Sequence, residues 1–239
     1  KFGYKNIFLG GASPGFSGKG KFLITHGYSE VHGREYWKSK GYSNEDMSSW
    51  GLHDDALLKE AKKELDSLHA KSKPFNLTIL TLDTHFPKGH LSSGCKAIGA
   101  SSLEDIVSCS ASNIADFVKY AESKGYLKDT NVVILGDHLS MTSTTTDKLK
   151  LKPRYIFNKW ISNERFIPNR SNITHFSIAP TILEFIGFDI PNLRYGLGRS
   201  GFYQLKDFSN EEFIKRIFDE SQYPSTFYEN FWIENKRNN

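Results

Sequence analysis

Short apolar runs alternate along this chain with stretches patterned for helices, and that alternation restricts the fold more than any other feature. The runs are Asn6 to Leu9, Phe75 to Leu82, Asn131 to Leu135 and Arg154 to Phe157. Apolar runs of this length, bounded by turn residues, read as buried strands, and strands separated by helices read as βαβ units with a mostly parallel sheet. Asp54 to His69 carries Leu57, Leu58, Ala61, Leu65 and Leu68 at helical spacing, and Ile106 to Lys124 repeats the pattern. Each therefore has one apolar stripe to lay on the sheet. A further helix is expected over Ile178 to Ile186, stopped by Gly187, with Pro180 near the first turn, where proline is tolerated. Another runs from Ser209 through Phe218, ahead of an aromatic and polar tail. The expected fold class is α/β, a mostly parallel central sheet with helices on both faces.

At 239 residues the chain is expected to form one α/β domain over 1–239, with 209–239 as a peripheral extension. No apolar stretch approaches the roughly 20 residues that span a bilayer. The opening Lys1-Phe-Gly-Tyr-Lys-Asn has neither an initiator Met nor a long apolar core, so no signal peptide is expected there and the chain reads as a piece of a longer protein. The net charge of +4 is small, and acidic residues interrupt nearly every basic cluster, so nucleic acid is not an expected partner. A weak preference for anionic ligands is all the charge supports.

The chemistry-bearing residues sit where strands stop. The run Asn131 to Leu135 ends at Gly136 and presents Asp137 beside His138. Ligand sites in open α/β sheets lie beyond the carboxyl ends of the strands. A carboxylate and a neutral imidazole there suit zinc or manganese, and a divalent ion could polarise a phosphoryl or sulfuryl oxygen. The same pair also reads as a strand-end Asp capping the next turn beside a surface His. His85 follows the run Phe75 to Leu82, which in a parallel sheet puts it on the same rim as Asp137 and His138. Lys19, flanked by Gly18 and Gly20, could bring one charge and exposed N–H groups to an anion, or be a solvated loop lysine. Gly196-Leu-Gly198-Arg-Ser-Gly201 matches a dinucleotide pattern but lacks the preceding strand and the later acidic residue, and reads as a turn. Cys95 and Cys109 stand apart from any His-rich cluster, which argues against structural zinc and for a disulfide in an oxidising compartment; two free buried thiols are the alternative.

Six segments carry a resemblance: Gly18-Lys-Gly-Lys-Phe-Leu-Ile-Thr-His26-Gly-Tyr, Trp50-Gly-Leu-His-Asp54-Asp55, Thr81-Leu-Asp-Thr-His85-Phe-Pro, Val107-Ser-Cys109-Ser, Gly136-Asp-His138-Leu-Ser-Met and Gly196-Leu-Gly-Arg-Ser200. In this order, and to about Phe202, the chain resembles the phosphoglycerol transferase I family, which groups with lipoteichoic acid synthase in the alkaline phosphatase/sulfatase superfamily. The resemblance implies a periplasmic catalytic domain of an inner-membrane protein, anchored by upstream helices. Such an enzyme moves sn-1-phosphoglycerol from a phosphatidylglycerol-type donor to a periplasmic glucan through a phosphorylated Thr or Ser. Asp137 and His138 fall on the family's metal ligands, with Mn²⁺ the first expectation and Zn²⁺ the second. His85 falls on a substrate-binding His, and Lys19 where lipoteichoic acid synthases set an Arg against phosphate.

The family's acidic metal ligand on the first strand and its nucleophile helix find no match here, so the expected fold lacks that N-terminal strand and helix. Ser140, Thr142 and Ser177 are poorly placed for the nucleophile's role, and the chain by itself is expected to have no turnover. Where the family has an acidic residue this chain has Ser177, and His175 beside it reads as structural. A phosphoethanolamine transferase or sulfatase of the same fold is the nearest alternative. A non-catalytic domain that binds glycerophosphate or glucan is the alternative from another class.

Overall fold

Ile7, Phe8 and Leu9 are all buried because the strand that contains them lies in the middle of its sheet. A central parallel strand is covered on both faces and reads as an unbroken apolar run. The computed structural model describes residues 2–141, 144–147, 149, 153–164, 170, 172–202 and 209–226. Thr142 and the tail beyond 226, both considered from sequence, lie outside the described residues. The elements in order are β1 (Lys5–Gly10), α1 (Lys19–Thr25), β2 (Glu30–His32), α2 (Arg34–Ser39), α3 (Asp54–His69), β3 (Phe75–Leu80), α4 (Ser93–Ala97), α5 (Leu103–Ser123), β4 (Val132–Leu135), α6 (Thr144–Asp147), β5 (Asn158–Ile161), α7 (His175–Phe185), β6 (Arg194–Tyr195), β7 (Gly198–Arg199) and α8 (Asn210–Ser221).

The chain divides into two compact units, Lys1–Lys128 with Ile134–Asn158, and Asp129–Val133 with Lys159–Asn239. In the first, β1 pairs in parallel with β2 and with β3, Ile7 lying opposite both Glu30 and Leu77. The five residues expected to form the stripe of α3 are buried, and they pack with Ile7, Leu9, Trp37, Leu52 and Phe117 in one apolar cluster. Helix α5 opens with a capping box in which the Ser102 hydroxyl accepts from the Asp105 N–H and the Asp105 carboxylate accepts from the Ser102 N–H.

The second unit departs from expectation at α7. The helix begins at His175 rather than near Ile178, which places Pro180 inside it. Having no N–H, Pro180 cannot bond the Phe176 carbonyl one turn back. The β6–β7 turn lies against that carbonyl, where a Cβ on Gly198 would sit 1.7 Å from the Phe176 oxygen. The Gly-rich stretch is thus a hairpin turn, as its sequence context implied.

The fold is α/β with a parallel sheet and flanking helices, as expected, but the four anticipated strands do not all share one sheet. β2, β1 and β3 form a three-stranded sheet, while β4 and β5 form a separate pair. The strand expected at Arg154 to Phe157 is displaced to Asn158–Ile161. Tyr155 and Phe157 are exposed, and it is Trp160 that finds an apolar partner, its ring 5.1 Å from that of Phe185.

Candidate functional site

At the C-terminal end of β3 the chain turns, and a buried carboxylate pair fixes the turn. Asp54, the first residue of α3, accepts from the backbone N–H groups of Leu82 at 2.7 Å and Asp83 at 3.2 Å, and from the Ser110 hydroxyl at 2.8 Å. Asp83 reciprocates, accepting from the Asp54 N–H at 2.8 Å and from His53 Nδ1 at 2.7 Å. One acid therefore ties down the strand end while the other caps the helix, and Ser110 draws in α5. Asp54 is 0% exposed and Asp83 2%. Burial, then the negative charge of Asp83, pushes the Asp54 carboxyl up to about 6. For His53, burial alone would lower the basicity, but the hydrogen bond and charge of Asp83 outweigh it and raise the pKa.

His85 projects from this anchored turn. Its Nδ1 donates to the Phe86 carbonyl at 2.8 Å, which leaves Nε2 with a lone pair. Trp50 lies over the imidazole with ring centroids 4.0 Å apart, Phe16 meets Trp50 edge-on at 5.3 Å, and the His90 ring lies 6.3 Å from that of Trp50. The Trp50 segment approaches so closely because Gly51 meets Gly11, where a Cβ would sit 1.9 Å from the Gly11 carbonyl oxygen. His90 Nε2 is buried without a hydrogen-bond partner among the described residues. Lys19 lies on a helix rather than in a loop. It opens α1, its ammonium lies 5.7 Å from the centre of the Phe8 ring, and burial lowers its pKa.

Asp137 and His138 follow β4 directly and are exposed. His138 Nδ1 donates to the Leu139 carbonyl at 2.9 Å, and its Nε2 lies 3.5 Å from Asp137 Oδ2. A carbonyl holding one ring nitrogen and leaving the other with its lone pair is the arrangement of a metal-binding histidine. The donor types suit a divalent cation. Their number does not complete a site, because no group of three His, Cys, Asp or Glu gathers for a metal among the described residues. Nor does a hydrogen bond or ion pair join Lys19, His85 and the Asp137–His138 pair to one another there. Ser177 is fully buried, and His175 is the first residue of α7.

Cys95 and Cys109 are joined in a disulfide, with Cα atoms 5.9 Å apart. The bond staples α4 to α5 one residue before Ser110. The carboxylate lattice of Asp54 and Asp83, with His53, Ser110 and Trp50, was not assigned a role from sequence. Its local signal is an acidic His53-Asp54-Asp55 run opening an amphipathic helix, with a second acid just past an apolar strand.

The chain is similar to known proteins. The sulfatase family model matches residues 1–188, and the chain belongs to the sulfatase family. Among curated relatives, phosphoglycerol transferase I of Xanthomonas campestris pv. campestris is 39% identical over 209 residues, covering 83% of this chain and 29% of that protein. Phosphoglycerol transferase I of Escherichia coli is 36% identical over 210 residues, covering 83% of this chain and 27% of its own length. The chain thus spans less than a third of these relatives. The fold is shared with the lipoteichoic acid synthase LtaP from Listeria monocytogenes, at a TM-score of 0.57, 16% identity and coverage of 78% of this chain and 50% of that one. It is shared too with an alkaline phosphatase superfamily protein from Vibrio parahaemolyticus, at a TM-score of 0.59, 20% identity and coverage of 85% and 49%.

Proposed function

We propose that this chain is part of the catalytic domain of a phosphoglycerol transferase that works outside the cytoplasm and is anchored to the membrane through other parts of a longer protein. The observation that carries this reading is the 39% identity over 209 residues with an enzyme named phosphoglycerol transferase I. The donor is a phosphatidylglycerol-type lipid and the acceptor a glucan hydroxyl.

In this reading Asp137 and His138 would hold a divalent cation, Mn²⁺ first and Zn²⁺ second, with further ligands from other parts of the longer protein. Such an ion, when bound, draws negative charge from a phosphoryl oxygen. Lys19 sets its ammonium against the same group's oxygens. His85 is fixed by the Phe86 carbonyl and the Trp50 ring, so its Nε2 lone pair is aimed and accepts a hydrogen bond from a hydroxyl, either of the glycerol or of the incoming sugar. A Thr or Ser outside this chain attacks the phosphodiester, diacylglycerol leaves, and the glucan hydroxyl then takes the phosphoglycerol.

The test uses the longer protein with phosphatidylglycerol vesicles and a glucan acceptor, following diacylglycerol release and phosphoglycerol on the glucan. Both products are expected, and His85→Ala should lower the rate roughly 10²-fold or more. Turnover of phosphatidylethanolamine or of a sulfate ester instead would move the protein to another member of the fold. Glucan binding with no turnover would make it a binding domain.

A further inference from the structure

Arg170, in the second unit, is a buried cation with no counter-charge among the described residues. It is 6% exposed. Its Nη2 donates to the carbonyl oxygens of Arg199 at 2.5 Å and Ser200 at 2.8 Å, with Ser177 Oγ at 3.5 Å, and its guanidinium lies 5.1 Å from the centre of the Phe213 ring. Nε and Nη1 are buried and have no hydrogen-bond partner among the described residues. Neither does the hydroxyl of Thr174, the N-cap of α7. Among the described residues, the charge that acts on Arg170 is also positive. Arg199 adds to the potential, and together with burial it makes the Arg170 charge harder to hold. The start of an 11-residue helix contributes its positive end.

A buried guanidinium with two unused donor nitrogens is costly unless paired. Water could satisfy the N–H groups, but it would leave the charge uncompensated. We propose that Arg170 and the N-terminal turn of α7 hold a small inorganic anion, from a halide to orthophosphate in size. The anion takes the Nε and Nη1 hydrogens, and it ties α7, the β6–β7 hairpin and α8 together through Arg170, which touches all three. The site is independent of the transferase reading, since none of its residues is assigned to that chemistry.

The test is thermal unfolding of the whole chain at constant ionic strength, with chloride or phosphate replacing a bulky organic sulfonate. A saturable rise in Tm is expected for the anion that fits, roughly 5–10 °C at a hundredfold excess over Kd. Arg170→Met should abolish the response. Crystals grown in bromide should show an anomalous peak touching Arg170, which decides the matter should the variant fail to fold. A Tm indifferent to anion identity, a response that survives Arg170→Met, or, where chloride is the anion that raises Tm, bromide-grown crystals with no such peak would overturn the proposal.

Discussion

Asp54 accepts three hydrogen bonds and is still a poor place for a negative charge. Three donors favour the carboxylate, yet burial and Asp83 together push its pKa to about 6, against about 3.9 for an unperturbed Asp. Between those values the folded chain binds the proton that the unfolded chain has released, so Asp54 contributes less to stability as pH rises from about 4 through about 6. The raised pKa of His53 acts in the same sense: its contribution is complete below about 6.5 and is lost as pH rises through the folded value. Asp54→Asn keeps an acceptor for the Leu82 and Asp83 N–H groups and removes the titration. Urea unfolding of both proteins from pH 4.5 to 7.5 should show wild type losing stability relative to the variant as pH rises. A difference that is flat or grows the other way would mean Asp54 is ionised throughout. None of this was legible locally, because Asp54 and Asp83 are 29 residues apart and meet only once α3 and β3 have packed. The positions of His85, Asp137 and His138 past the ends of β3 and β4 were readable, since each follows an apolar run; their roles are those proposed above.

Elements with a strong period were readable and short ones were not. Helix α3 runs from Asp54 to His69 as its leucine stripe indicates. Strand β2 escaped notice because it has three residues, two of them Glu30 and His32, and exists by pairing with β1 rather than by its own pattern. The start of α7 was misjudged because Pro180 was given its usual place in a first turn, whereas the Gly198 hairpin packs where the proline breaks the hydrogen-bond ladder. The cysteine pairing was the favoured reading, with two free thiols the alternative, and the bond joins α4 to α5. A closed loop with a sequence separation of 14 should stabilise by about 3 kcal/mol on the chain-entropy model. Cys95→Ala with Cys109→Ala should therefore lower unfolding stability by roughly 2–4 kcal/mol. Reductant should bring wild type to the same level and leave the double variant unchanged, both read by urea unfolding. Wild type indifferent to reductant, with two alkylatable thiols by mass spectrometry, would show the bond absent in solution.

At the scale of the whole chain, composition does not announce the division into two units, because the boundary runs through β4 and β5 instead of a Pro- or Gly-rich linker. Metal binding belongs to the same scale. Asp137 and His138 offer two protein donors, and no third candidate ligand gathers for a metal among the described residues. A divalent cation held by two donors keeps most of its water, so each missing anionic oxygen removes both a bond and part of the charge compensation. This chain should bind Mn²⁺ weakly, whereas a longer protein spanning the length of its transferase relatives should bind it tightly and lose it on Asp137→Ala. Titration calorimetry of Mn²⁺ into all three proteins reads the outcome directly. Tight binding by this chain alone would mean that residues outside those described complete the site. Tight binding by the longer protein that survives Asp137→Ala would place the metal elsewhere, and with it the phosphoryl group that Lys19 and His85 are proposed to meet.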